Sequence, residues 1–176
     1  MSSASNIPVT FSTSIGGNGS ELFIGDQKFH TNPKTINSFW WTVVDLTNPA
    51  GKPLLQATST SNSEPPPEVV AFADDTNAFL FFSFLGVFAS HMPTGSLYEF
   101  LKKVGSDRQL DRIEQIVEQA GSNFFDVAGY ILAATMDTSD EPGFEMLNWN
   151  NTALMTMQFM PVEVDGKVIY APVQLS

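Results

Sequence analysis

Asp137, Asp140, Glu141 and Glu145 crowd the stretch MDTSDEPGFE. Four carboxylates in one loop can supply the oxygen ligands that calcium takes, which makes them the candidate metal residues and calcium the one candidate cofactor. Their spacing is not that of an EF-hand, and the required glycine is missing. The competing reading is a solvated acidic turn after a buried strand. A second set joins aromatic rings to amides: Trp40 and Trp41 are adjacent, and Trp149 sits among Asn148, Asn150 and Asn151. An indole can cover the apolar face of a sugar while amides bond its hydroxyls, so these six are the candidate ligand-binding residues, with carbohydrate as the leading ligand class. Neighbours in a strand point to opposite faces, so one of Trp40 and Trp41 is expected in the core and the other partly exposed. Ordinary packing and turn roles are the alternative.

Nothing in the chain has the pattern of a catalytic centre. His30 and His91 are the only histidines, and neither belongs to a G-x-S-x-G or H-E-x-x-H motif. His91 lies in a strand-to-helix loop and could make a pH-dependent contact. Asp74 and Asp75 pair at a strand end, where acid–base chemistry competes with the commoner turn-forming role. The run from Gly16 to Gly19 lacks the Lys-Thr of a phosphate loop. Asn18 and Asn150 fit the glycosylation sequon, which matters only in a secretory host. The expectation is a non-enzymatic module.

Composition narrows the partners. Eight Lys and Arg face nineteen Asp and Glu in 176 residues, for a net charge of −11. No cation falls between Lys52 and Lys102 or between Arg112 and Lys167. Nucleic acid and anionic lipid, which need clustered cations, are excluded as expected partners. A carbohydrate or a protein remains, including another copy of the chain in a homo-oligomer built through exposed strand edges. The absence of cysteine removes disulfides, thiolate nucleophiles and Cys-ligated metals. The start MSSASNIPVTF has no basic region before an apolar one, so no signal peptide is read, and no stretch is long enough for a transmembrane helix. A soluble protein, cytoplasmic or non-classically secreted, is expected.

The positioning elements centre on Phe79 to Asp137, which reads strand, helix, helix, strand. Phe79 to Phe88 is nearly all apolar and suits a central strand covered on both faces. Tyr130 to Thr135 reads as a second buried strand. Leu97, Phe100, Leu101 and Val104 form one helical stripe, and Leu110, Ile113, Val117 and Ala120 another. Ser96 with Glu99, and Ser106 with Gln109, read as capping boxes, with Gly105 and Gly121 as stops. Elsewhere Val9 to Thr13, Glu21 to Ile24, Gln27 to His30, Asn37 to Leu46, Leu54 to Thr58 and Glu68 to Ala73 read as strands. Asp165-Gly166 predicts a two-residue turn between strands Thr152 to Val164 and Lys167 to Val173. The expected fold is a single α/β (α+β) domain over 1–176. Mixed or antiparallel sheets form its sandwich-like core, and two adjacent helices pack on it. Residues 1–6 are expected to fray, and the Pro/Ser-rich loop 59–67 to be mobile.

The strand and turn WWTVVDLTNPAGKP resembles the entry to an interleukin-like EMT inducer domain. The stripe Leu97, Phe100 and Leu101 resembles that family's first helix, and Gly121-Ser122 before an apolar strand resembles the stop of its second. The resemblance spans residues 20 to 137. It implies a compact sandwich of sheets flanked by helices, and non-catalytic members that act as secreted cytokine-like proteins or sugar-binding stem domains. The chain departs from the family in having no disulfide and in abutting its two helices, so sugar binding is carried over as an expectation and signalling is not.

Overall fold

The computed structural model describes residues 4–14, 19–30, 37–85, 87, 89–120, 128–137, 142–149 and 152–175. The chain is mostly β: two antiparallel five-stranded sheets are packed together, with short helices on one side. Sheet A contains β1 (Ile7–Ser14), β2 (Gly19–Ile24), β3 (Gln27–His30), β9 (Ala153–Val164) and β10 (Lys167–Gln174), in the order β10-β9-β1-β2-β3. Sheet B contains β4 (Phe39–Asp45), β5 (Leu55–Ser59), β6 (Ala78–Leu85), β7 (Ala128–Thr135) and β8 (Phe144–Trp149), in the order β5-β4-β6-β7-β8. The helices are α1 (Pro67–Val70), α2 (Gly95–Lys103) and α3 (Arg108–Ala120).

Two cores flank sheet B. Trp40, Val44, Phe79, Phe81 and Ile131 meet Phe11, Leu22, Met155 and Phe159 of sheet A between the sheets. On the other face Trp41, Leu80, Phe82, Phe84 and Tyr130 meet Val69, Leu97, Leu101, Leu110 and Ile113 of the helices. Alternation along a strand sends neighbours to opposite faces. A strand with core on both sides must therefore be apolar at every position, as β6 (AFLFFSFL) is. No helix among the described residues is long and apolar enough to cross a membrane.

The turns follow their residues. Asp165 and Gly166 both take positive φ, 50° and 75°, in the tight turn between β9 and β10. Gly105 has φ 103° and ends α2; its amide donates to Lys102 O (3.2 Å) and that of Ser106 to Leu101 O (2.9 Å), the paired bonds of a Schellman stop.

Four expectations need correction. The segment Glu68 to Ala73 is no strand: Pro67 opens the short helix α1, because its fixed φ and missing N–H suit a first helical turn. The stretch after Gly143, read as turn and ligand region, is strand β8. Phe144 and Met146 pack between the sheets and Leu147 toward the helices.

Neither capping box forms. The Ser96 hydroxyl donates to Ser63 O (2.9 Å), and that carbonyl also accepts the Leu97 amide (3.0 Å). The same bonds bear on the loop expected to be mobile. Asn62 O accepts the Thr94 amide (2.7 Å), and His91 Nε2 donates to Thr60 O (2.7 Å), so the loop is pinned to the start of α2. Gly121 and Ser122 lie outside the described residues.

Candidate functional site

The polar side chains that converge most tightly are Ser106, Tyr130 and Glu145. Ser106 precedes α3, Tyr130 is in β7 and Glu145 is in β8. Glu145 Oε1 accepts from Tyr130 Oη (2.5 Å) and Ser106 Oγ (2.8 Å), and Oε2 accepts the Gln109 amide (3.1 Å). The two hydroxyl oxygens are 2.9 Å apart. The carboxylate thus caps α3 from another strand, where charge and the helix dipole favour it. Burial pushes the Tyr130 phenol well above its ordinary range, reinforced by the Glu145 charge and by donation to Glu145. Ser106 and Tyr130 are buried, so the serine cannot meet a substrate. Beside the cluster an open cleft of about 300 Å³ is lined by Asp107, Arg108, Gln109, Pro142, Gly143, Phe144, Glu145 and Gln174. The anion seat at this helix start is filled by Glu145 itself.

The sequence-derived candidates do not assemble. Trp40 and Trp41 do point to opposite faces, but both faces are covered: each indole is buried, and neither offers a ring to a sugar. The Trp41 indole donates to Ser59 Oγ (2.9 Å) and packs 4.4 Å from the Phe82 ring. Asn148, near the end of β8, donates through Nδ2 to Thr152 O (2.9 Å). Trp149 closes that strand. Asn150 and Asn151 lie outside the described residues, as do Asp140 and Glu141. Asp137 follows β7, while Glu145 is turned into the helix cap. Among the described residues no three His, Cys, Asp or Glu side chains gather as a metal site. Asp75 Oδ1 accepts the Asn77 amide (2.9 Å), a turn role. The members of the Ser106–Tyr130–Glu145 cluster are far apart in sequence, so no local motif marks it.

The second feature is a surface. Strict pairing register places Thr156, Gln158, Met160, Val162 and Val164 of β9 on the outer face of sheet A, with Ile169, Ala171 and Val173 of β10, Thr10 of β1 and Phe23 of β2. Leu154, Met160, Val162 and Val164 are 38–49% exposed. Charges at the described outward positions are Glu21, Lys28 and Lys167, and Lys28 Nζ pairs with Glu21 (2.6 Å) while lying 5.1 Å over the Phe23 ring. A face with one acidic residue is unusual on a chain that carries nineteen.

Both edges of the β9–β10 arm beside this face carry a block. Residues of an antiparallel strand point their backbone groups alternately toward and away from a neighbour. The Tyr170 amide points away from β9, donating to Leu46 O (2.8 Å). Pro172, two residues on, therefore presents no N–H on the same free edge. Pro161, opposite Tyr170, does likewise on the other edge of the arm, beyond the last β1 pair at Phe159.

No protein-family model matches this chain, and no curated protein sequence matches it.

Proposed function

We propose that this protein is a non-enzymatic interaction module whose working surface is the outer face of sheet A. The observation that carries the reading is asymmetry: sheet B is covered on both faces, while sheet A leaves apolar side chains of β9 in solvent on one. Contiguous exposed apolar surface marks association sites. The polar cluster at Glu145 is consumed in joining α3 to β7 and β8, which supports a binding rather than a catalytic role. The resemblance to interleukin-like EMT inducer domains, a non-catalytic family, points the same way. The test is a photo-crosslinking residue at Val162, with Glu99 on α2 as an exposed control, in cells that express the chain. Adducts at 162 and none at 99 are expected; equal yields would overturn the reading.

Carbohydrate is the second reading. It rests on Asn148 and Trp149 at the end of β8, since Trp40 and Trp41 are buried. A thermal-shift panel of sugars, with calcium added, tests it and the acidic stretch together: a ligand of the native state raises the melting temperature. No shift with any sugar or with calcium would remove both.

A further inference from the structure

From the acid-poor, apolar outer face of sheet A and the proline-guarded edges of its β9–β10 arm, we infer that a second copy of this chain docks there, face to face about a two-fold axis. The inference rests on the interaction-face reading above and names the occupant. Charge selects it first. Two copies at −11 repel through most of their surfaces, and least through a face whose one described outward acid, Glu21, is already paired with Lys28. A strongly cationic partner finds no acidic counterpart on this face, and a polyanion is repelled by the rest of the chain.

Area is the second argument. Five strands of 4 to 12 residues, at about 3.3 Å rise and about 4.8 Å spacing, give a projected face of roughly 600 Å². Side-chain relief brings that near the roughly 800 Å² that each partner buries in a standard interface. Geometry is the third. Strand addition beside the apolar row is hindered, because Pro161, Pro172 and the Tyr170–Leu46 bond guard the edges of the β9–β10 arm, and the opposite edge strand, β3, is only four residues long. Packing of face on face needs no open edge, and a two-fold axis places the same apolar row of Met160, Val162 and Val164 against itself or its neighbour.

Sedimentation of the purified chain over a concentration series is the test, with Met160→Glu and Val162→Glu as face variants and Val70→Glu as a control. Val70 is as exposed on α1 as Val162 is on β9, so the control makes the same chemical change elsewhere. Circular dichroism checks that all three variants fold. A dimer is expected, weakened more than about tenfold by each face variant because an unpaired carboxylate would be buried, and unchanged in the control. Raising salt is expected to tighten it, because screening weakens the repulsion between like-charged copies. A monomer at every concentration overturns the second-copy inference while leaving the crosslinking result at Val162 to decide whether the face binds another protein. A dimer indifferent to both face variants, or broken by Val70→Glu, overturns it too.

Discussion

Sheet B and sheet A have equal strand numbers and opposite sequence grammar. β6 reads AFLFFSFL because Phe79 and Phe81 look to one core while Leu80, Phe82 and Phe84 look to the other. β9 reads ALMTMQFMPVEV: Ala153, Met155, Met157 and Phe159 are buried, and the residues between them face outward. In most antiparallel sheets the outward set is polar. Here it starts as Leu154, Thr156 and Gln158 and becomes Met160, Val162 and Val164 toward the arm. A strand pattern therefore reports how many faces are covered, and the outward apolar residues are the part of that pattern which the monomer does not use.

The sharpest way to break this contrast is to truncate one residue from each region. Trp41→Ala, beneath the helices, should cost about 3–5 kcal/mol in urea unfolding, whereas Val164→Ser on the open face, at dilutions where the chain is monomeric, should stay within about 0.5 kcal/mol. Equal losses would mean that the outer face is as buried as the inner one. Next in size is Glu145→Gln. Two hydroxyls and an amide donate to this carboxylate, and losing its charge should cost about 2 kcal/mol. A change under half of that would show that β8 and α3 are held by apolar packing alone.

Thr42→Val goes the other way. Among the described residues, Thr42 Oγ1 is the one buried side-chain oxygen without a partner. Replacing it with a methyl group should stabilise by about 1 kcal/mol, a rise of about 2–4 °C in melting temperature. A fall would reveal a buried water between the sheets.

Near neutral pH the two titrating groups give no pH dependence, and their response shows only at the extremes. The Tyr130 phenol stays neutral in the fold well above 10.0, while in the unfolded chain it ionises near that value. Stability is full below pH 10 and should drop by up to about 1.4 kcal/mol per pH unit above it, until the folded phenol ionises. Asp111 is the acid-side counterpart. Burial alone would raise its carboxyl, but hydrogen bonds from Lys102 and Tyr98 and the Lys102 charge outweigh that and hold it below 3.8. Its contribution is present above pH 3.8 and lost as pH falls through the lower folded value. Because Asp111 is substantially exposed, the loss should be slight. Urea midpoints across pH check both limbs, and a flat alkaline limb would mean that water reaches Tyr130.

Legibility in the sequence followed locality. The β9–β10 turn was readable because two adjacent residues, Asp165 and Gly166, supply both positive φ angles. The core strands were readable because double coverage leaves a continuous apolar run. β8 (FEMLNW) was not, since its glutamate is there to meet partners on a distant element and its asparagine to bond the Thr152 carbonyl just beyond the strand. The α1 segment misled because Val69 and Val70 favour strands, while Pro67 at the helix start outweighed them. Serines at both helix starts have the pattern of local caps, yet one bonds the loop before α1 and the other the Glu145 cluster. Adjacent indoles on a strand imply one exposed ring, and nothing local to them marks the helices that cover the second face of the sheet.

The cap on α3 has a kinetic consequence. Its acceptor, Glu145, lies 36 residues beyond the amide it holds, so the first turn of α3 cannot be secured by its own neighbourhood. The carboxylate arrives only once β7 and β8 have paired, and closing that loop is an entropic cost met before the bond forms. The start of α3 is therefore expected to form late, so Glu145→Gln should speed unfolding more than it slows folding, which stopped-flow kinetics in urea checks.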